Sequence, residues 1–254
     1  MGIESEYWSP VAASPAAESR DRALLGDGGI TDNDMMIPLL RRGVRRIVAC
    51  FNSNLPLQTN ASWDPRKRPP TAKDIDADIP SYFGHNIPQT GQDLHRNQVF
   101  PLADFVGLVE DLQAAQAAGG GIIAVRQHTT VENSWWGIAA NHTVEVVWVL
   151  LGRALDWEEQ LPSVVRKHVQ PDGRSNPNWL AEVSELGPFR NFPNYGTETQ
   201  LELDTSQANL LADFSGWCGP CSQILPGVPL VPTRLLQLDG VGAVFTHNAC
   251  SGWC

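Results

Sequence analysis

The first candidate for chemistry in this sequence is an aspartate followed by two glycines, Asp27, Gly28 and Gly29. Glycines accept positive φ angles and carry no side chain, so the chain can turn sharply and leave the carboxylate projecting into a cleft. A carboxylate within hydrogen-bond reach of a hydroxyl can act as its general base. The same dipeptide also marks ordinary turns, so the motif alone allows both a catalytic and a structural interpretation.

A second candidate is the Cys-Gly-Pro-Cys stretch, which runs from Cys218 to Cys221 and resembles the thioredoxin active site. There a helix N-terminus lowers the pKa of the first thiol, which attacks a disulfide before the second thiol resolves the intermediate. The resemblance would make Asp213 a buried carboxylate. Thioredoxin needs a buried strand before its motif, however, whereas TSQANLLADFSGW predicts a helix that begins near Thr205.

The remaining metal-binding and redox residue types form no clear site. Five cysteines form an odd, C-terminally crowded set, which argues against a secreted disulfide framework; they are Cys50, Cys218, Cys221, Cys250 and Cys254. Their CxxC…CxxxC spacing is loose for zinc, and the six histidines show no HxxxH or HxH pair. We therefore predict neither a metal nor a cofactor.

The elements around the diglycine predict an α/β fold. A helix is expected over about residues 33–42, with Asp32 or Asn33 accepting hydrogen bonds from its first amides. Its buried side would carry Met35, Met36, Leu39 and Leu40. The continuously apolar run RIVACFN that follows is typical of a strand covered on both faces in a parallel sheet.

The rest of the chain continues the alternation of helices and strands. Apolar residues at three- and four-residue spacing predict a helix over about 102–118, which the glycines at 119–121 end. Two strands follow, IIAVRQHTTV and HTVEVVWVLLG, and then a short helix broken at Pro162. Residues 55–98 and 170–200 read as loops, rich in proline and polar residues.

Composition excludes several classes of partner. Eighteen basic and 28 acidic residues give a formal charge of −10, which argues against nucleic-acid binding. No apolar run is long enough for a transmembrane segment, and the first residues do not form a signal peptide, so we expect a cytoplasmic protein. Arg41, Arg42, Arg45 and Arg46 either touch lipid headgroups or form a solvated helix end. The tryptophans either line an acyl-chain groove or pack in the core.

The stretch GDGGITDNDMMIPLLRRGVRRIVACFNS resembles the Asp-Gly-Gly segment of the patatin-like and cytosolic phospholipase hydrolases. Further pieces resemble that family in the same order: YWSP, NQVFP at 97–101, WWGI with VEVVWVL at 135–150, and Trp157 with Leu161 and Pro162. The similarity covers roughly residues 7–215. It is most specific at 25–53.

The resemblance implies a lipid acyl-ester hydrolase with a Ser–Asp dyad and a patatin-like sheet flanked by helices. Asp27 would be the base, Gly28 and Gly29 would shape the turn, and Asn33 would support the helix start. The substrate would be a lipid or a membrane surface, which implies peripheral contact of a cytoplasmic protein with membranes.

The sequence departs from this family at the nucleophile. Its serine stands in a G-x-S-x-G elbow, which is absent from all 254 residues, as is the glycine-rich oxyanion segment. We therefore expect an inactive or incomplete chain, organised as an N-terminal loop (1–22), part of a catalytic domain (23–216) and a tail rich in Cys, Gly and Pro (217–254). The alternative function is a thiol–disulfide oxidoreductase. Oligomeric state, headgroup preference and calcium dependence stay open.

Overall fold

The computed structural model describes residues 3–7, 21–25, 28–87, 94–169, 189, 192–195, 202–218 and 242–244. These residues form a mixed α/β structure. Its strands are β1 (Ile3–Tyr7), β2 (Asp21–Leu25), β3 (Arg46–Phe51), β4 (Ile122–Thr129), β5 (Thr143–Leu150) and β6 (Gly242–Val244). Its helices are α1 (Gly29–Asp32), α2 (Met36–Arg41), α3 (Asp78–Ser81), α4 (Leu102–Ala117), α5 (Leu155–Glu158), α6 (Ser163–Val169) and α7 (Thr205–Cys218).

A four-stranded mixed sheet with the order β4-β5-β3-β6 forms the centre of the fold. Strand β3 runs parallel to β5, with Val48 opposite Val147, and parallel to β6 on its other side. Strands β4 and β5 are antiparallel. The predicted strands at 46–52, 122–131 and 142–152 are thus confirmed, and so is the parallel pairing expected for the first of them.

Two strands lie where the sequence suggested none. Strand β1 falls within residues 1–22 and pairs antiparallel with β2, so that Ser5 faces Ala23. Strand β6 falls within residues 217–254 and extends the central sheet beside β3. Both segments are short and lack an extended alternation of apolar and polar residues. They become strands because of the strands they pair with, which the local sequence does not reveal.

Helix α4 covers the sheet through the stripe that the sequence predicted. Phe105, Leu108, Val109 and Leu112 are all buried. The helix ends where the glycines begin, because Gly119 has a φ of +85°, the left-handed conformation typical of a helix end. The predicted helix and its stop signal are confirmed.

Two hydrophobic clusters make up most of the core. The larger joins the central sheet to α4 and to the segment before it, and aromatic rings dominate it: Phe83 lies 5.8 Å from Trp148 and 5.5 Å from Phe100, centroid to centroid. The smaller cluster packs α5 and α7 around Trp157, whose ring is 4.8 Å from that of Phe214. Residues 52–87 and 94–101 contain the short helix α3 and otherwise little regular structure, but they supply much of the larger core.

Candidate functional site

The predicted catalytic aspartate, Asp27, lies outside the described residues, and the described chain resumes at Gly28. Gly28 precedes α1, and its carbonyl oxygen accepts the amides of Thr31 and Asp32 at 3.0 Å each. A Cβ on Gly28 would meet no atom of the described residues within 4 Å. Gly28 itself is exposed.

The turn after Asp27 is fixed to the core at two points. The buried hydroxyl of Tyr82 donates to Asp32 Oδ1 at 2.7 Å, while Asp32 Oδ2 accepts the amide of Ile37 at 3.0 Å. One residue earlier, the carbonyl oxygen of Thr31 accepts a hydrogen bond from Asn97 Nδ2 at 2.5 Å. Because Tyr82 and Asn97 are almost fully buried, these bonds hold the segment rigidly.

Asp32 supplies the acceptor that was expected for the first turn of the next helix, since it binds the amide of Ile37. Asn33 is exposed at the end of α1. The prediction that Met35 lies on the buried side of the helix is wrong: Met35 is 51% exposed. Its φ of 56° is left-handed, so it turns the chain outward before α2 begins at Met36.

Three further aspartates lie near Asp32, the residue that binds Tyr82. We call Asp32, Asp34, Asp76 and Asp78 the carboxyl cluster. Asp34 and Asp78 are only 3% and 6% exposed. Asp34 Oδ2 and Asp78 Oδ1 have no hydrogen-bond partner among the described residues. Asp76 Oδ1 accepts the amide of Asp78 at 3.0 Å, which joins the two neighbours. Buried carboxylates without partners favour the protonated form.

The pKa shifts of the cluster follow from this burial. Burial, with the charges of Asp78 and Asp76 as smaller contributions, raises the pKa of Asp34 well above its ordinary value. Burial and the charges of Asp76 and Asp32 raise the pKa of Asp78 to about 8. The pKa of Asp32 is raised by burial against the opposing effect of the Tyr82 hydrogen bond. The pKa of about 8 favours the protonated form of Asp78 at neutral pH.

The sequence analysis missed this cluster. Its only local signal is the stretch DIDADIPSYF, in which Asp76 and Asp78 alternate with apolar residues, a pattern that places acidic side chains where a core would be. Within the ranges that the structure describes, no group of three or more His, Cys, Asp or Glu side chains is arranged to hold a metal ion.

The structure places the redox candidates differently from thioredoxin. Helix α7 confirms the predicted helix from Thr205, and Cys218 is its last residue, whereas Cys221, Cys250 and Cys254 lie outside the described residues. A helix C-terminus carries partial negative charge and disfavours a thiolate. Asp213 is exposed rather than buried, and accepts the indole N–H of Trp157 at 3.0 Å.

The one histidine in the larger aromatic core is satisfied by its neighbours. His128 Nδ1 lies 3.0 Å from Asp104 Oδ2, and the Trp148 indole donates to its Nε2 at 3.3 Å. Burial lowers the pKa of His128, although Asp104 acts in the opposite direction. With both ring nitrogens occupied, this residue is structural, as expected for the histidines.

No family model, curated protein or solved structure matches this chain. The similarity to patatin-like and cytosolic phospholipase hydrolases therefore stays a prediction based on the residues quoted above. Of the helices that the structure describes, none has both the length and the apolar character to span a bilayer.

Proposed function

We propose that this chain supplies the general base of a hydrolase that cleaves lipid acyl esters, and that Asp27 is that base. The observation that carries the proposal is the fixed turn after Asp27. Thr31 and Asp32 bind buried side chains, while Gly28 borders open space. A base must be held within hydrogen-bond reach of its nucleophile, and a rigid mounting beside an open face serves that purpose.

The proposed reaction runs through an acyl-enzyme. Asp27 takes the proton of a serine hydroxyl as the serine oxygen attacks the ester carbonyl carbon, and the protonated Asp27 then passes that proton to the departing alcohol. In the second half water attacks the acyl-serine as Asp27 accepts a proton from it, and Asp27 returns that proton to the serine oxygen as the acyl–serine bond breaks and the fatty acid leaves. Since the sequence has no G-x-S-x-G elbow, the proposal places the serine outside these 254 residues.

The carboxyl cluster suits this role electrostatically. A base that cycles between its charged and protonated forms is perturbed by every fixed charge nearby. If Asp34 and Asp78 were ionised, they would add two negative charges around Asp32, which follows Asp27 by five residues. Burial raises the pKa of Asp34 and raises that of Asp78 to about 8, which favours their protonated forms and limits the negative charge near the segment that follows Asp27.

Fatty-acid release from phosphatidylcholine vesicles and from a soluble p-nitrophenyl ester tests the proposal. The protein isolated from its own cells should release fatty acid, and Asp27→Asn should abolish release by at least about a hundredfold, the contribution of a positioned base. The matched control is Asp111→Asn, an exposed carboxylate that pairs with Arg126, and it should retain full activity.

Two results distinguish the parts of the proposal. The recombinant 254-residue chain alone should show no turnover; turnover that disappears in Asp27→Asn would keep the base but overturn the position of the serine. An isolated protein that hydrolyses no ester, or one whose activity survives Asp27→Asn, would contradict the function itself.

Thiol–disulfide exchange is the weaker candidate because Cys218 ends a helix instead of beginning one. The chain should reduce insulin disulfides no faster than its Cys218→Ser variant. A rate that falls in Cys218→Ser would make the redox function the better proposal.

A further inference from the structure

Residues 133–138, between β4 and β5, form a rigid projecting turn that we call the tryptophan tip. Asn133 and Ile138 exchange both backbone hydrogen bonds, at 2.9 and 3.0 Å. The side chain of Asn133 accepts the amide of Trp136 at 3.1 Å and donates to the carbonyl oxygens of Arg96 and Gln98 at 2.7 and 2.8 Å. The tip is therefore closed on itself and tied to the chain before α4.

The tip carries two tryptophans, one exposed to solvent and one packed against the core. Trp136 is half-buried and packs against the larger core, whereas Trp135 is 64% exposed. The two rings meet edge to face with centroids 6.4 Å apart. Holding such an apolar ring in water is unfavourable, and isolated exposed tryptophans at rigid positions are enriched in binding surfaces.

Two guanidinium groups from separate elements lie at the tip. The Arg96 guanidinium carbon lies 3.7 Å from the centre of the Trp135 ring, a cation–π contact. Arg41, at the end of α2, lies against Gly137 of the tip, since a Cβ on Gly137 would be 3.6 Å from Arg41 Nε. Gly137 has a φ of +70° and no side chain, so nothing separates its backbone from the Arg41 side chain.

We propose that the tryptophan tip docks this protein on the surface of a bilayer that contains anionic phospholipids. Indole rings settle at the headgroup level, with the apolar face in the acyl boundary and the N–H near water, and each arginine beside an anionic surface adds attraction. The protein carries a formal charge of −10, so such a surface repels most of it. Attraction is confined to faces where arginines gather, and Arg41 and Arg96 gather at the tip.

One acidic residue opposes this attraction, since Glu132 is exposed next to the tip. Arg41 and Arg96 at the tip carry two positive charges against this one negative charge. A nucleic acid fits the tip less well than a bilayer, because a single exposed indole offers one stacking position and the overall negative charge repels a polyanion. The docking proposal does not rest on the proposed hydrolysis, since binding to vesicles is measured without turnover.

Co-sedimentation of the full chain with vesicles of phosphatidylcholine, with and without phosphatidylserine, tests the proposal. The chain should bind the mixed vesicles and bind neutral vesicles much more weakly. Trp135→Ala should weaken binding to mixed vesicles about tenfold, by removing one buried aromatic ring. Arg41→Gln and Arg96→Gln should each weaken it about fivefold, with the loss concentrated in the phosphatidylserine-dependent part.

Matched controls exclude a general change in apolar surface or charge. Leu102 is 53% exposed, and Leu102→Ser should leave vesicle binding unchanged. Arg66 is an exposed arginine paired with Glu110, and Arg66→Gln should also have little effect. Because the Trp135 side chain is largely in water, its variants should fold normally; Trp135→Phe, which keeps an aromatic ring, should retain part of the binding.

Quenching by brominated phospholipids locates the contact. Vesicles with bromine on the acyl chains should quench part of the fluorescence of the wild-type chain, and that part should disappear in Trp135→Phe. Equal binding of neutral and mixed vesicles, unchanged binding by Trp135→Ala, or quenching that persists in Trp135→Phe would overturn the proposal. So would Trp135-dependent binding to a protein or RNA in the absence of any vesicle binding.

Discussion

Replacing Asp78 by asparagine tests the physical account of the carboxyl cluster most simply. Asp78 is 6% exposed, its Oδ1 has no partner among the described residues, and its pKa is raised to about 8. Asparagine has the same shape but carries no charge at any pH. The substitution therefore removes the titration of this residue while keeping the side-chain volume.

The sign of the effect follows from proton binding. Between the ordinary aspartate pKa of 3.8 and the raised value of about 8, the folded protein keeps the proton that the unfolded chain releases. The stability associated with the protonated acid is thus present at low pH and is lost as the pH rises through this window. Each pH unit corresponds to about 1.4 kcal/mol, so the free energy of unfolding should fall by up to about 3 kcal/mol from pH 6 to pH 8.

Urea unfolding at pH 6 and pH 8 measures this difference. The wild type should lose stability over the interval, whereas Asp78→Asn should lose clearly less and should be the more stable protein at pH 8. Asp111→Asn, at an exposed carboxylate, should follow the wild type. If wild type and Asp78→Asn lose equal stability between the two pH values, the burial of Asp78 does not control its protonation and our reasoning about the cluster is refuted.

Two further substitutions test how the site and its scaffold are built. Tyr82→Phe should lower the free energy of unfolding by about 1–3 kcal/mol in urea titrations, because it removes the hydrogen bond to Asp32. Tyr195→Phe should leave the free energy of unfolding nearly unchanged, since the buried Tyr195 hydroxyl has no partner among the described residues. If both variants lower the stability equally, the hydrogen bond from Tyr82 to Asp32 does not stabilise the turn. Gly119→Ala should lower the free energy of unfolding by about 2 kcal/mol, because a side chain is unfavourable at a φ of +85°. Gly120→Ala should lower it little, since no atom of the described residues lies near the added Cβ. If thermal unfolding ranks the two variants the other way, the left-handed conformation of Gly119 does not disfavour a side chain.

The scaffold was predictable where local patterns dominate. The stripe that begins at Phe105 and the stop at Gly119 define α4 almost to the residue, because helix periodicity and a left-handed glycine act over a few residues. The apolar run around Val48 defines β3 in the same way. Met35 shows the limit of such patterns: it continues the apolar stripe, but a left-handed turn before α2 directs it outward.

Of the candidate site, the sequence singled out only the Asp-Gly-Gly motif, and the positive φ expected of its glycines is not seen at Gly28, whose φ is −66°, while Gly29 already begins α1. The carboxyl cluster joins Asp32 and Asp34 to Asp78, more than forty positions later, and only tertiary packing decides that they meet. The same is true of the tryptophan tip, where Arg96 contacts Trp135 although helix α4 and strand β4 separate them in the chain. Contacts of this kind leave no periodic signal in the sequence.

Covalent labelling with a fluorophosphonate tests the central claim most directly. In the protein isolated from its own cells, the account predicts that the reagent modifies one serine, identified by mass spectrometry in a G-x-S-x-G peptide outside these 254 residues. It also predicts that labelling slows by at least about a hundredfold in Asp27→Asn, because the serine loses its base. Absence of a labelled serine, or equally fast labelling of wild type and Asp27→Asn, would contradict the assignment of Asp27 as a catalytic base.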